Sequence, residues 1–152
     1  MNQPAALLFT FFEEQAAARA NLLWEVAPKT CSEVCNVLPS VGKSHHGIYS
    51  GSECVQILET LIRVDPENAT SSVSKGQVGF TWMAAGSVYG VEEDFAEICW
   101  FYDIDAEPRM WGGPFEVNIF AEFSSDADDF FAVCRRMRRE GVKPLRIEKV
   151  DD

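Results

Sequence analysis

Lys43-Ser-His-His-Gly-Ile-Tyr-Ser-Gly-Ser-Glu53 is the stretch on which the fold turns. It holds both histidines of the chain and ends on a Ser-Gly-Ser step. Two local structures compete for it. Cys54, Ile57, Leu58 and Leu61 recur at helical spacing, and Ser52 could cap a helix over them. Ser50-Gly51-Ser52 is also good turn chemistry for a hairpin between 47–49 and 53–58. The local pattern leans to the helix.

Upstream, Pro28 suits a first helical turn, and Thr30 with Glu33 has capping-box spacing. Cys31, Val34, Cys35 and Leu38 recur at i, i+3, i+4 and i+7, and Pro39 stops the helix. Residues 5–12 and 20–26 read as strands joined by a polar-then-small turn at 13–17. Downstream, 65–76 is rich in turn formers and reads as a surface loop. Strands are expected at 78–83 and 96–102, the second so apolar that both its faces should be buried. A long irregular connection, 103–114, precedes a strand at 116–123 whose alternation predicts one buried face. A helix then starts at Ser124 or Ser125, with Asp126, Asp128 and Asp129 in its first turn and arginines in its last. Gly141 ends that helix, Pro144 follows, and 145–150 is a closing strand. No repeat or linker divides residues 1–152, which read as one domain.

The composition narrows the function classes. The chain has 152 residues and a formal charge of −11, which disfavours nucleic acid and anionic membrane surfaces as partners. The longest apolar run, Pro4 to Phe12, falls short of a membrane span and lacks a basic leader segment. The five cysteines have no C-x-x-C spacing and sit mostly among apolar neighbours. They suit reduced, buried thiols in a cytoplasmic protein.

Adjacent His45 and His46 would point to opposite faces of a strand, so only one could face a given pocket. No H-x-x-x-H, C-x-x-C or clustered-carboxylate motif accompanies them, and neither a metal nor a cofactor is expected. Arg109 and Trp111, beside Gly112-Gly113 in the long connection, could line a pocket for a carboxylate or peptide carbonyl. Equally, Trp111 could seal one end of the fold while Arg109 pairs with Asp103 or Asp105.

The order of segments adds a resemblance. Leu22-Leu-Trp-Glu-Val-Ala-Pro-Lys-Thr-Cys-Ser-Glu33, followed by Leu38-Pro39, resembles the opening of the cyclophilin-like barrel. More narrowly, the chain resembles an uncharacterised prokaryotic family of small cyclophilin-like proteins over residues 6 to 150. Its members carry H-A-x-W-S-G-E-E, P-E-N-A-T, Gly-Asp and N-x-F-A segments. Here His46-Gly-Ile-Tyr-Ser-Gly-Ser-Glu53, Pro66-Glu-Asn-Ala-Thr70, Gly76-Gln77 and Asn118-Ile-Phe-Ala121 stand in that order. Tyr49 replaces a Trp, Ser52 an acid and Gln77 an Asp, which removes two potential pocket carboxylates.

The resemblance implies a mainly β fold: a closed barrel of about eight strands, a short helix after strand 2 and a C-terminal helix. It also turns 53–58 into a strand paired with 47–49, because a closed barrel leaves no free edge. The implied function is binding of a small molecule or short peptide at one barrel face, without ordinary cyclophilin catalysis. Ser44-His45-His46 stands where cyclophilins carry F-H-R, and the Gln-Gly-Gly-Asp type segment is missing. A divergent peptidyl-prolyl isomerase using Arg109, and an assembly module forming a homo-oligomer through the barrel rim, are the alternatives. The candidate pocket residues are His46, Tyr49, Ser50, Arg109, Trp111 and Asn118.

Overall fold

The hairpin prevails over the helix. In the computed structural model of the chain, which describes residues 3–151, β3 (Ser40–His46) pairs antiparallel with β4 (Glu53–Ile57). His45 lies opposite Val55 and His46 opposite Cys54. The first arm is 40–46 rather than 47–49, and 47–52 form the connection. Beyond the paired residues, the Gly47 N–H donates to the Glu53 carbonyl at 2.8 Å. A helix here would strip backbone partners from both neighbours of β4, so tertiary pairing overrides the local periodicity.

The remaining strands are β1 (Ala6–Phe11), β2 (Ala16–Leu22), β5 (Ala69–Thr70), β6 (Gln77–Met83), β7 (Phe95–Phe101), β8 (Arg109–Met110), β9 (Gly113–Pro114), β10 (Val117–Phe123) and β11 (Lys143–Val150). The helices are α1 (Pro28–Asn36) and α2 (Asp128–Glu140). Strand order is β2-β1-β11-β3-β4-β7-β6-β10, and pairing of β10 with β2 closes an eight-stranded antiparallel barrel. Two-residue β5 adds onto β10, while β8 and β9 form a small ladder inside what the sequence presents as irregular loops.

The second strand runs over 16–22, not 20–26. Its inward residues are Ala16, Ala18, Ala20 and Leu22, and the three alanines are small and weakly β-prone, so the sequence conceals the strand. Residues 23–26 leave the sheet instead: Val26 and Ala27 N–H groups turn back onto the Leu23 carbonyl, and the Trp24 indole N–H donates to the Pro4 carbonyl at 2.7 Å.

Side chains fill the barrel interior. Phe9 meets Trp100 edge-on at 5.3 Å, and Phe130 of α2 stacks on Phe11 at 4.8 Å across one end. Trp100 donates its indole N–H to the Cys134 sulfur at 3.3 Å. A second cluster, Cys99, Phe101, Val117 and Ile119, lies on the outer side of the wall, packed by Val55 and Phe115. It explains why β7 is buried on both faces, and why β10 is buried from Val117 to Ala121 rather than on alternate residues. All five cysteines are free and buried, with the Cys31 thiol pushed up to about 12 chiefly by burial.

Neither helix is capped as the sequence suggests. Ala27 is the N-cap of α1 and offers no side chain, and no Thr30–Glu33 box forms. Glu67, from the Pro66–Thr70 run, accepts from the Lys29 N–H at 3.1 Å, the Thr30 N–H at 2.8 Å and the Thr30 hydroxyl at 2.7 Å. Ala127 precedes α2, and Ser124 bonds the Arg19 carbonyl and Asp126 instead. Asp128 and Asp129 at the start, with Arg138 and Arg139 at the end, still match the helix dipole. Among the described residues no helix is long and apolar enough to cross a membrane.

Candidate functional site: a carboxyl-floored cavity on the outer barrel wall

Because the interior is filled, space for a ligand lies outside the wall. Along β4, Cys54 and Gln56 are buried on the inner side, which turns Glu53, Val55 and Ile57 outward. On the neighbouring strand β7, Glu97 and Cys99 are outward between inward Ala96, Ile98 and Trp100. Register sets Glu53 opposite Phe101, Val55 opposite Cys99 and Ile57 opposite Glu97. Residues from 83–95 and 109–115 rise over this surface and enclose a cavity of about 400 Å³. Val55, Met83, Val91, Phe95 and Phe115 give it apolar walls.

Its floor is acidic. Glu53 and Glu97 are 4% and 9% exposed. Together with Cys99 each can place one donor atom within 4.8 Å of the others. Glu53 Oε2 is buried and has no hydrogen-bond partner in the protein. Burial, reinforced by the neighbouring Glu97 and only partly offset by the Ser50 hydroxyl and Cys99 thiol, pushes the Glu53 carboxyl well above the usual carboxylate range. Burial alone pushes Glu97 up to about 7. Burial, then the two carboxyls, raises the Cys99 thiol in turn. Two desolvated carboxyls this close cannot both ionise cheaply, so the pair retains a proton near neutral pH. Two carboxylate oxygens and a thiol sulfur are also a donor set that a divalent transition metal accepts.

The structure separates the two histidines. His45 lies on the outer face beside Val55, while His46, opposite Cys54, turns toward α2. His46 Nδ1 is 2.8 Å from the Gly47 carbonyl, which can only accept, so Nδ1 carries the hydrogen. Nε2 then accepts from the Tyr102 hydroxyl at 2.7 Å. The Tyr102 oxygen accepts from Arg138 Nε at 3.1 Å, and Arg138 Nη2 donates to Ser52 Oγ at 3.1 Å. Burial lowers the His46 pKa and the Arg138 charge adds to that, against the pull of the Gly47 carbonyl. His46 is thus a neutral link beside a second recess of about 480 Å³ at the C-terminal end of α2.

His46, Tyr49, Ser50 and Arg109 all border the carboxyl-floored cavity. Ser50 Oγ accepts from the Arg109 N–H at 2.9 Å and donates to the Arg109 carbonyl at 3.2 Å. The Arg109 guanidinium pairs with Glu107 at 2.8 Å rather than with Asp103 or Asp105. Trp111 stands above the rim, edge-on to Tyr49 at 6.0 Å, and is 67% exposed, so it seals nothing. Asn118 does not join these residues. Its amide donates to Thr30 Oγ1 and the Asp65 carbonyl, both at 3.1 Å, and its oxygen accepts from the Glu67 N–H at 3.1 Å. It clamps α1 to β10 beside a separate recess next to Trp82.

Glu53, Glu97 and Cys99 are the site residues that sequence reasoning missed, while His45 is one of the two histidines it left open for the pocket. The available signal was a lone acid, Glu97, inside a run otherwise apolar enough to be buried on both faces.

A small, filled, closed barrel with a carboxyl-floored cavity on its outer wall is the class of domain that this fold and site define. The chain belongs to the family described as "Protein of unknown function (DUF3830)", which matches residues 10–149. No curated protein matches the sequence. Among solved structures, that of McbB in complex with tryptophan aligns with a TM-score of 0.69 at 11% identity, over 96% of this chain and 45% of that one. This chain therefore spans less than half of the McbB chain. The solution structure of the hypothetical protein AF2241 from Archaeoglobus fulgidus aligns with a TM-score of 0.60 at 15% identity, over 99% and 98% of the two chains. At these identities the likeness establishes a shared fold.

Proposed function

We propose that this protein binds a small organic molecule in the outer-wall cavity. Its apolar body would lie against Val55, Met83, Val91, Phe95 and Phe115, and its polar end on Glu53 and Glu97. One observation carries this reading: Glu53, whose buried carboxylate oxygen lacks a partner, lines a space of about 400 Å³. An unsatisfied buried polar group costs about 1–3 kcal/mol, and a ligand donor would remove that cost. The cavity's size and its apolar walls with few polar groups are the general make-up of a small-molecule site.

Binding is favoured over a cyclophilin-like isomerase activity. Arg109, the nearest stand-in for a catalytic arginine, is held by Glu107 and is partly exposed. Five buried, free cysteines support a cytoplasmic setting.

A thermal-shift screen of small aromatic and aliphatic metabolites tests the reading, with tryptophan as a first probe because one structural neighbour was solved with it. Hits should raise the melting temperature of the native protein. They should lose that effect in Val55→Trp, which fills the cavity from its wall. Hits that stabilise Val55→Trp equally would place the site elsewhere.

A further inference from the structure

We propose that the polar end of the ligand is a protonated amine, seated on Glu53 and Glu97 as the counter-charge that this pair lacks. The inference rests on the cavity being the ligand site. Among the described residues neither carboxyl is in a salt bridge. The charged or titratable groups that border them are Cys99 on the same wall, His45 and His46 on β3, Tyr49 on the β3–β4 connection, and Arg109 on the overlying loop, whose guanidinium is taken by Glu107. Once ionised, the Glu53 carboxylate only accepts hydrogen bonds, so its oxygen without a partner is then satisfied by a donor from the ligand.

An ammonium group carries three N–H donors and one positive charge, enough to satisfy that oxygen and the neighbouring carboxyl together. An alcohol would bring a single donor and no charge. A carboxylate would bring a further negative group to a desolvated, acidic floor. The apolar walls ask for an uncharged stem behind the ammonium, and the net charge of −11 raises the local concentration of cations. Proton balance follows from the shared proton. Each proton that Glu53 or Glu97 carries before binding passes to solvent as the pair ionises around R-NH3⁺. No bond to carbon forms or breaks.

The experiment is isothermal titration of the intact chain with matched probe sets: an amine, its alcohol and its carboxylate on phenyl, indolyl and hexyl stems. In at least one set the amine should bind about tenfold or more tighter than the alcohol, with the carboxylate weakest. Titrations in two buffers of different ionisation enthalpy, at about pH 6, should show net proton release when the amine binds and none when the alcohol binds. Glu53→Gln should erase the preference for the amine while alcohol binding persists. If an alcohol or carboxylate binds as tightly as its amine, the ammonium assignment falls and the cavity reading stands. If no probe of any charge binds, both fall. Should Glu53→Gln fail to fold, the amine-to-alcohol ratio and proton count of the unaltered protein decide alone.

Discussion

Ser50 and Arg109 hold each other at two points, through the serine hydroxyl and the arginine's own N–H and carbonyl. That double contact ties the β3–β4 connection to the loop roofing the cavity. Ser50 is buried, so Ser50→Ala leaves both Arg109 backbone groups without this partner. The expected loss is about 1–2 kcal/mol of stability. Faster amide hydrogen exchange should appear at Glu107 and Arg109 before any change in the barrel strands. Exchange that speeds up uniformly across the chain would contradict this local tie.

Gly51 has φ +69°, and a Cβ there would run into the carbonyl oxygen of Asp105. Gly51→Ala combines a disfavoured backbone with a clash against main chain, so about 1–3 kcal/mol should be lost. Urea denaturation measures it. A variant as stable as the parent would show that the 103–108 segment is free to move away.

The paired carboxyls set a pH signature. A carboxyl raised in the folded state keeps its proton where the unfolded chain has lost it, so stability falls with rising pH across the interval between the two pKa values. For Glu97 that interval runs from the ordinary 4.5 to about 7. The slope there should approach a decline of about 1.4 kcal/mol per pH unit, shared with Glu53. Glu97→Gln should flatten the profile and gain on the parent as pH increases. Parallel profiles for the two proteins would mean that the pair is not desolvated.

Glu67 gives the opposite sign. Although burial works against it, the N–H groups of Thr30 and Lys29 hold its carboxyl below the usual range. Its stabilisation is present above about pH 4.5 and is lost as pH falls through the lower folded-state value. Glu67→Ala should cost about 0.5–2 kcal/mol near neutral pH and progressively less in acid. A cost that does not change with pH would leave capping by the charged form without support.

His46 is held neutral partly by Arg138. Arg138→Gln should therefore raise the His46 pKa toward 6.5, as read from ring-nitrogen NMR shifts. The folded protein should then resist mild acid better at that residue, because a lowered histidine pKa removes stability as pH drops below the ordinary value. An unchanged ring titration would show that burial alone sets it.

How much of this was legible in the sequence depended on where each residue's partner lies. α2 carries its own apolar stripe and charge polarity, so its existence and its end at Gly141 were readable though its start lies about three residues later. β6 and β7 carry β-prone runs readable to within a residue. β2 was displaced because inward alanines carry almost no strand signal. The caps were misassigned because the groups that satisfy α1 come from Glu67, far along the chain. Tyr49, Ser50 and Arg109 could be gathered because one turn and one loop mark them. Asn118 looked similar by residue type, yet its hydrogen bonds go to α1 and the Asp65–Glu67 backbone. Glu53 and Glu97 could not be paired at all, since only the β4–β7 register makes them neighbours.

The site's position outside a filled wall has an evolutionary consequence. Whatever a ligand meets comes from three connections, including 47–52, and from the outward side chains of adjacent strands, while the interior contacts belong to the opposite faces of those strands. Insertions or exchanges in 84–94 and 103–115 leave every aromatic pair of the interior in place. The barrel is thus a fixed chassis, and ligand choice is a trait free to drift on its surface. Proteins that share this wall closely can therefore differ completely in what they hold against it.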